Sequence, residues 1–450
     1  MGTMSTGSWR PGARRRALSV LVAFGALVML STTALASNDP FFSDQWGLSG
    51  QPASINGPQA WCASTGGVLV GDIDTGADFG HQDLAGRLVA GARFTSGNGD
   101  VNNPDATGQG AVQDDNGHGT MTTGLMVANK DNAIGIAGIA PSSQALVVKV
   151  MDSNGSGYTN DVGAGIRWAA AHGARVLNIS LGTSVQGVSI LPDSNIVSAI
   201  QQVSKQGVAV AVSAGNNQVP VPISQYIQIA NVALVAGATG PQGELAWYST
   251  TGQGVNIYAP GGDDPNGSPD RTINIVSTYF GNRYAAEQGT SFAAPHVAGT
   301  LALLMSHGLS ASQARQRILD TAVARQGLPE LDAAAALGSS AGCRSAPAAS
   351  NEGPAPATTP ARPGSSARGP AGPGQPGTAA VAAPSPSPSS SVSPSPSPSL
   401  QAEPVPSSRA LAHDPPPAKK GGSPAPIVAV VMVVGIGLGY GGLRLLQALR

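Results

Sequence analysis

The chain has 450 residues, 11% of them charged, with a formal net charge of −1 and two cysteines, Cys62 and Cys343. Near-zero charge and scattered basic residues exclude nucleic acid as a partner, and two cysteines are too few for a cysteine-rich zinc site. Composition is too uneven along the chain for one domain.

Residues 1–36 read as a secretory signal peptide: arginines gather before Arg16, Ala17–Met29 is almost wholly apolar, and Ala34-Leu35-Ala36 is a small-residue cleavage signal. Retention of the apolar run as an uncleaved anchor is the alternative. Residues 37–343 hold the folded domain. There "VLVGDI", "QALVVKVM", "ARVLNISL", "GVAVAVSAG", "IANVALVAGA" and "GVNIYAP" are short and rich in valine and isoleucine, and they alternate with helix-like "TNDVGAGIRWAAAHG" and "NIVSAIQQVSKQG". Near-continuous apolar strands between amphipathic helices predict an α/β fold of three layers, a mostly parallel central sheet covered by helices. Ligand sites in such sheets lie at the carboxyl ends of strands.

Residues 344–424 turn to Pro, Ala, Ser, Thr and Gly and predict a disordered linker, because they lack the apolar area to offset ordering entropy. Residues 425–446 carry an apolar run ending at Arg444 and predict a single-pass transmembrane helix, with 447–450 as a cytoplasmic tail and the folded domain outside the cell. In an exported protein Cys62 and Cys343 form either one disulfide closing the domain or two free or intermolecular thiols.

Three stretches stand at predicted element boundaries. Asp74 ends "VLVGDID", His118 lies in "DDNGHGT", and Ser291 lies in "GTSFAAPHVAG", which opens a run apolar on all faces in which Pro295 is expected in the first helical turn. A serine hydroxyl needs a base to become a nucleophile. Histidine has suitable proton affinity, and a carboxylate on its other nitrogen fixes its tautomer. Asn216, just after "VAVAVSAG", offers a side-chain amide for the oxyanion beside the Ser291 N–H. The acidic glycine-rich segment before His118 reads as a solvated loop, and His81, His172, His296 and His307 as structural or exposed.

"DTG" at Asp74, "NGHGT" at His118, "SAGNN" at Asn216 and "GTSFAAPHVAG" at Ser291 resemble, in order, the signature blocks of subtilisin-like serine proteases, and "NDPFFSDQWGL" and "IGIAGIAP" resemble the thermitase branch. The resemblance implies peptide hydrolysis by Asp74, His118 and Ser291, with Asn216 in the oxyanion hole. It further implies that Ser180, Leu181 and Gly182 align a polypeptide substrate. For structural calcium it implies Asp39, Asp83 and Asn132 as side-chain ligands and backbone oxygens of Asn129, Ile134 and Ile136. Met121 departs from the family, which usually has a second histidine there. The overall layout resembles the membrane-anchored mycosins of type VII secretion, which implies a secretion machinery as a partner; a general surface protease fits equally.

Two readings compete. A catalytically silent scaffold on a membrane stalk would have no need of all these positions. An aspartic protease needs a second Asp-Thr-Gly or Asp-Ser-Gly, and the chain has none. Asp72 is left over: it shares a strand face with Asp74, where the family usually has an apolar residue. It is either a partner near the triad or a core polar group satisfied locally.

Overall fold

Valine-rich runs become strands with both faces covered. The computed structural model describes residues 37–339, except 51, 182, 186–187, 191–193 and 219–223, together with residue 2 and residues 399–401. The chain divides into two compact units, Met1–Leu411 and Ala412–Arg450, and the described residues belong to the first. Its strands are Leu69–Asp74 (β1), Leu88–Arg93 (β2), Gln144–Lys149 (β3), Ser156–Tyr158 (β4), Val176–Ile179 (β5), Ala209–Ser213 (β6), Leu234–Thr239 (β7) and Ile257–Pro260 (β8). All but β4 are consecutive members of a ten-stranded sheet, in the order β8-β7-β6-β5-β1-β3-β2, with the short strands Leu328–Glu330 and Val323–Arg325 beyond β8 and Ala106–Thr107 beyond β2. Neighbours in that run are parallel.

Strand β1 is flanked by later strands, β3 on one side and β5 on the other, so the winding reverses around it. A crevice opens at the carboxyl end of such a switch point, and Asp74 is the last residue of β1.

Helices His118–Val127 (α1), Thr159–Ala171 (α2), Ser194–Lys205 (α3) and Thr290–Ser306 (α4) supply the outer layers. Alternation along β1 separates them: Val70 packs with Met126 of α1 and Leu301 of α4, while Ile73 packs with Ile166 of α2 and Ile200 of α3. The amphipathic α3 turns Ile196, Val197, Ile200 and Val203 inward. By contrast α1 is buried throughout and α4 from Thr290 to Met305, as expected for helices through the middle of a domain. A hairpin of Ile275–Tyr279 (β9) and Arg283–Glu287 (β10) covers α1. Its Ser277 and Thr278 hydroxyls donate to the carbonyls of Met121 and Thr120, each at 2.7 Å. Met121 itself packs with Trp46, Leu125 and Phe292.

Several expectations change. Pro295 lies inside α4 rather than in its first turn. The ring removes the N–H that would cap the Ser291 carbonyl one turn earlier, and the Ser180 hydroxyl donates to that carbonyl instead, at 2.9 Å. The expected Cys62–Cys343 disulfide is not among the observed contacts: no cysteine pair stands at disulfide distance among the described residues, and Cys343 falls outside them. Cys62, beside the Pro58 carbonyl, is not a free thiol. Residues 1–36 (residue 2 apart), the segment 425–446 expected to span a membrane, and most of the stretch 344–424 expected to be a linker also lie outside the described residues. Among the described residues no helix is long and apolar enough to cross a membrane. In the stretch expected to be a disordered linker, Ser399–Gln401 forms a short strand that pairs antiparallel with β4.

Candidate active site

The site begins at the turn after β1. Gly76 has φ 113°, and a side chain there would strike the Val112 carbonyl. Gly119, second residue of α1, lies so close that a Cβ would stand 2.1 Å from the Gly76 carbonyl. Only glycine permits both the backbone conformation and the approach. The consequence is that His118 reaches Asp74: Nδ1 lies 2.8 Å from Oδ1 and 3.0 Å from Oδ2, and both residues are buried. The Thr75 N–H also donates to Asp74 Oδ1, at 2.7 Å.

A carboxylate that sequence reasoning placed in a solvated loop holds this junction. Asp114 is 4% exposed. Its Oδ1 accepts from the N–H groups of Asn116 and Gly117 and from the Thr75 hydroxyl, and its Oδ2 from the Thr120 N–H and hydroxyl. The Thr75 hydroxyl in turn accepts from the Gly119 N–H at 2.9 Å. Asp114 thus ties the turn carrying Asp74 to the first turn of α1. Its place four residues before His118, at a helix start, is the available sequence signal.

Ser291 is the second residue of α4 and is 2% exposed. Its Oγ lies 3.4 Å from the Ser180 carbonyl. The adjoining Phe292 ring packs against the His118 ring with centroids 5.9 Å apart, which brings α4 to the Asp–His pair. Asn216 follows β6, and its Oδ1 accepts from the Thr290 N–H and hydroxyl, each at 3.0 Å. That pairing fixes the amide, so its nitrogen faces the other way. A Cβ built on Gly289 would stand 3.5 Å from Asn216 Nδ2 and 3.7 Å from the Ser291 nitrogen. Two N–H donors therefore flank the side of Gly289 that carries no side chain. Ser180 and Leu181 continue from β5, and the Leu181 carbonyl accepts from the Ser213 hydroxyl at 3.3 Å. Gly182 lies outside the described residues.

Asp72 is 1% exposed and accepts from Thr122, Thr123 and Asn178 at 2.9, 2.5 and 2.9 Å. Burial, and after it the charge of Asp74, pushes its carboxyl up to about 7 against these hydrogen bonds. Both sequence readings hold in part: Asp72 is satisfied locally, and the Thr122 hydroxyl also lies 3.5 Å from Asp74 Oδ2.

The proposed calcium residues gather elsewhere. Asn132 donates its backbone N–H to Asp39 Oδ1 and its side-chain amide to Asp83 Oδ1, each at 3.0 Å. Asp83 Oδ2 accepts from the Ile136 N–H at 2.9 Å, and Asn132 Oδ1 from the Ile134 N–H at 2.8 Å. The Asn129 side chain reaches Arg87 and the Asp83 and Ala85 carbonyls. Burial above all, with the charge of Asp39 adding, pushes Asp83 up to about 6. Among the described residues no group of three or more His, Cys, Asp or Glu side chains forms a metal cluster. Asp39 and Asp83 are nonetheless buried carboxylates joined through Asn132, and carboxylate oxygen is the donor type a hard cation takes.

A Subtilase family model matches residues 65–343. The chain is 38% identical over 287 residues to Thermitase of Thermoactinomyces vulgaris, covering 63% of this chain and 91% of that protein. It is 35% identical over 279 residues to Subtilisin Savinase of Lederbergia lenta, covering 62% and 90%. Among solved structures, a protease of Pseudoalteromonas arctica PAMC 21717 is similar with a TM-score of 0.58 at 27% identity, covering 67% of this chain and 99% of that one. The nisin leader peptidase NisP from Lactococcus lactis, at 23% identity and a TM-score of 0.54 over 66% and 94% of the two chains, shares the fold alone.

Proposed function

We infer, from the premise that this chain belongs to the subtilase family and is a serine endopeptidase, that Ser291 is its nucleophile, His118 its general base and Asp74 the acid that orients the base. The contact carrying this reading is His118 Nδ1 on both oxygens of Asp74, since a base held that way presents its other nitrogen for proton transfer. Ser291 Oγ attacks the scissile carbonyl and passes its proton to His118. The oxyanion accepts from Asn216 Nδ2 and the Ser291 N–H, a reading supported by both lying beside Gly289. His118 then protonates the leaving amine, and an acyl-enzyme remains on Ser291. Water activated by His118 releases the acid and restores the serine. The polypeptide lies along Ser180, Leu181 and Gly182 as an added strand.

Calcium, in this proposal, is held by Asp39, Asp83 and Asn132 with backbone oxygens of Asn129, Ile134 and Ile136. It would neutralise two buried carboxylates and join the residues around Asp39 to the 129–136 loop, and it supplies nothing to peptide hydrolysis. The cellular layout is proposed on the sequence features: signal peptide 1–36, peptidase domain 37–343, linker 344–424, membrane helix 425–446 and tail 447–450. A protease displayed on the outer face of the membrane follows, and the mycosin-like order supports association with a secretion machinery. Exposing the full chain to a peptide library tests the enzymatic reading. Cleavage that disappears in Ser291→Ala supports it, and absence of cleavage by the parent protein favours the silent scaffold. Extraction of intact membranes with alkaline carbonate tests the layout: retention in the pellet is expected, and full release contradicts the anchor.

A further inference from the structure

Asp72 lies behind the Asp–His pair on the same face of β1 and connects to the site by two routes. Along the first, its Oδ1 accepts from Asn178 Nδ2 at 2.9 Å, its register partner on β5. The same amide nitrogen lies 3.0 Å from the Ser180 hydroxyl, which donates to the Ser291 carbonyl at 2.9 Å. That carbonyl is the one Pro295 leaves without its helical donor. An unbroken line of hydrogen bonds therefore runs from Asp72 to the backbone of the nucleophile.

The second route passes through Thr122. Its hydroxyl lies 2.9 Å from Asp72 Oδ2, 3.1 Å from the Gly119 carbonyl and 3.5 Å from Asp74 Oδ2. One hydroxyl has one proton. When Asp72 is ionised, Thr122 and Thr123 both donate to it. When Asp72 is protonated, its own O–H donates to one of these hydroxyls, and the Thr122 proton is released to Gly119 or Asp74. The titratable groups on the surrounding elements are Asp74 on β1, Lys149 on β3, His118 on α1 and His296 on α4. Lys149 is engaged by the Thr75 carbonyl and Asp115, and His296 by the Phe292 carbonyl. None of them forms an ion pair with Asp72 among the described residues.

We propose that Asp72 is a positioning residue for peptide hydrolysis, which holds the Ser291 carbonyl through Asn178 and Ser180 and sets the acid limb of activity by the charge it places behind the His118–Asp74 pair. This rests on the triad proposed above. An anion there favours protonated His118, so its removal lets the base act at lower pH. Asparagine fits the same space, with an oxygen for Asn178 and a nitrogen that donates to the threonines.

The experiment measures kcat/KM against pH for the full chain and Asp72→Asn, with a peptide p-nitroanilide, after both are tested for fluorophosphonate labelling. A shift of the acid limb to lower pH by about half a unit or more is expected, with KM changed by less than about twofold. Superimposable profiles in a labelled variant overturn the inference. Should Asp72→Asn not fold, the His118 ring-proton resonance of the parent protein decides. Two inflections with pH, its own and that of Asp72, support the coupling; a single inflection overturns it. A parent protein that resists labelling instead defeats the triad reading, which keeps the two failures apart.

Discussion

The buried carboxylate pairs Asp72–Asp74 and Asp39–Asp83 resolve the cost of burial differently. At the end of β1, Asp72 and Asp74 receive threonine hydroxyls, an asparagine amide, a backbone N–H and the His118 ring. At the 129–136 loop, Asp39 and Asp83 are met chiefly by backbone N–H groups and Asn132, in a chain segment where Asp131, Ala133 and Gly135 all take positive φ. The first pair has its proton-carrying partner built in and is held by a strand and a buried helix. The second is met by neutral donors in a loop, and it is there that the proposed calcium would act, since buried charge needs a partner.

Substitutions separate the two. Asp74→Asn is expected to lower kcat by about 10⁴ through loss of the correct histidine tautomer, with little change in melting temperature. A steady-state assay beside a thermal melt checks both halves. Asn216→Ala follows, with a loss of about 10² to 10³ in kcat and a smaller change in KM, because its amide acts only on the developing oxyanion. At the loop the order inverts. Chelation should lower the melting temperature of the parent protein by several degrees and leave Asp83→Asn far less responsive, as a calorimetric scan with and without chelator will show.

The smallest effect concerns pH and needs its sign stated. His296 is buried against the Phe292 carbonyl, and burial lowers it to about 4. Between about 4 and the ordinary value near 6.5 the unfolded chain binds the extra proton, so stability falls as pH falls, by up to about 3 kcal/mol. Asp72, raised to about 7, acts oppositely: the folded state binds the extra proton, and stability rises as pH falls through that range. The two slopes offset one another in the parent protein. In calcium-saturated samples, denaturant midpoints at pH 5 and pH 7.5 should show His296→Gln relatively more stable at pH 5, and Asp72→Asn relatively less.

Most of the fold was legible because strands buried on both faces leave continuous valine and isoleucine runs, as in "ALVVKV" and "VAVAVS". The Asp74–His118 pair was legible because each residue sits in a glycine-bracketed motif, as do Asn216 and Ser291, whose roles are proposals. Asp114 was missed because its acidic neighbours suggested solvent, and only the fold brings five donors around it. Pro295 was misplaced because composition does not reveal that a side chain from another strand caps the carbonyl it exposes. Asp72 was visible as an anomaly, but its links through Thr122 and Asn178 depend on α1 and β5 lying against β1, which a strand period cannot convey.

The most direct measurement is intact-mass and peptide mapping after treatment with a fluorophosphonate. One adduct per chain, located on Ser291, absent in Ser291→Ala and strongly slowed in His118→Ala, is the predicted result. Absence of an adduct from the folded parent protein, or its placement on another serine, would contradict the assignment of Ser291 as nucleophile to the His118–Asp74 pair.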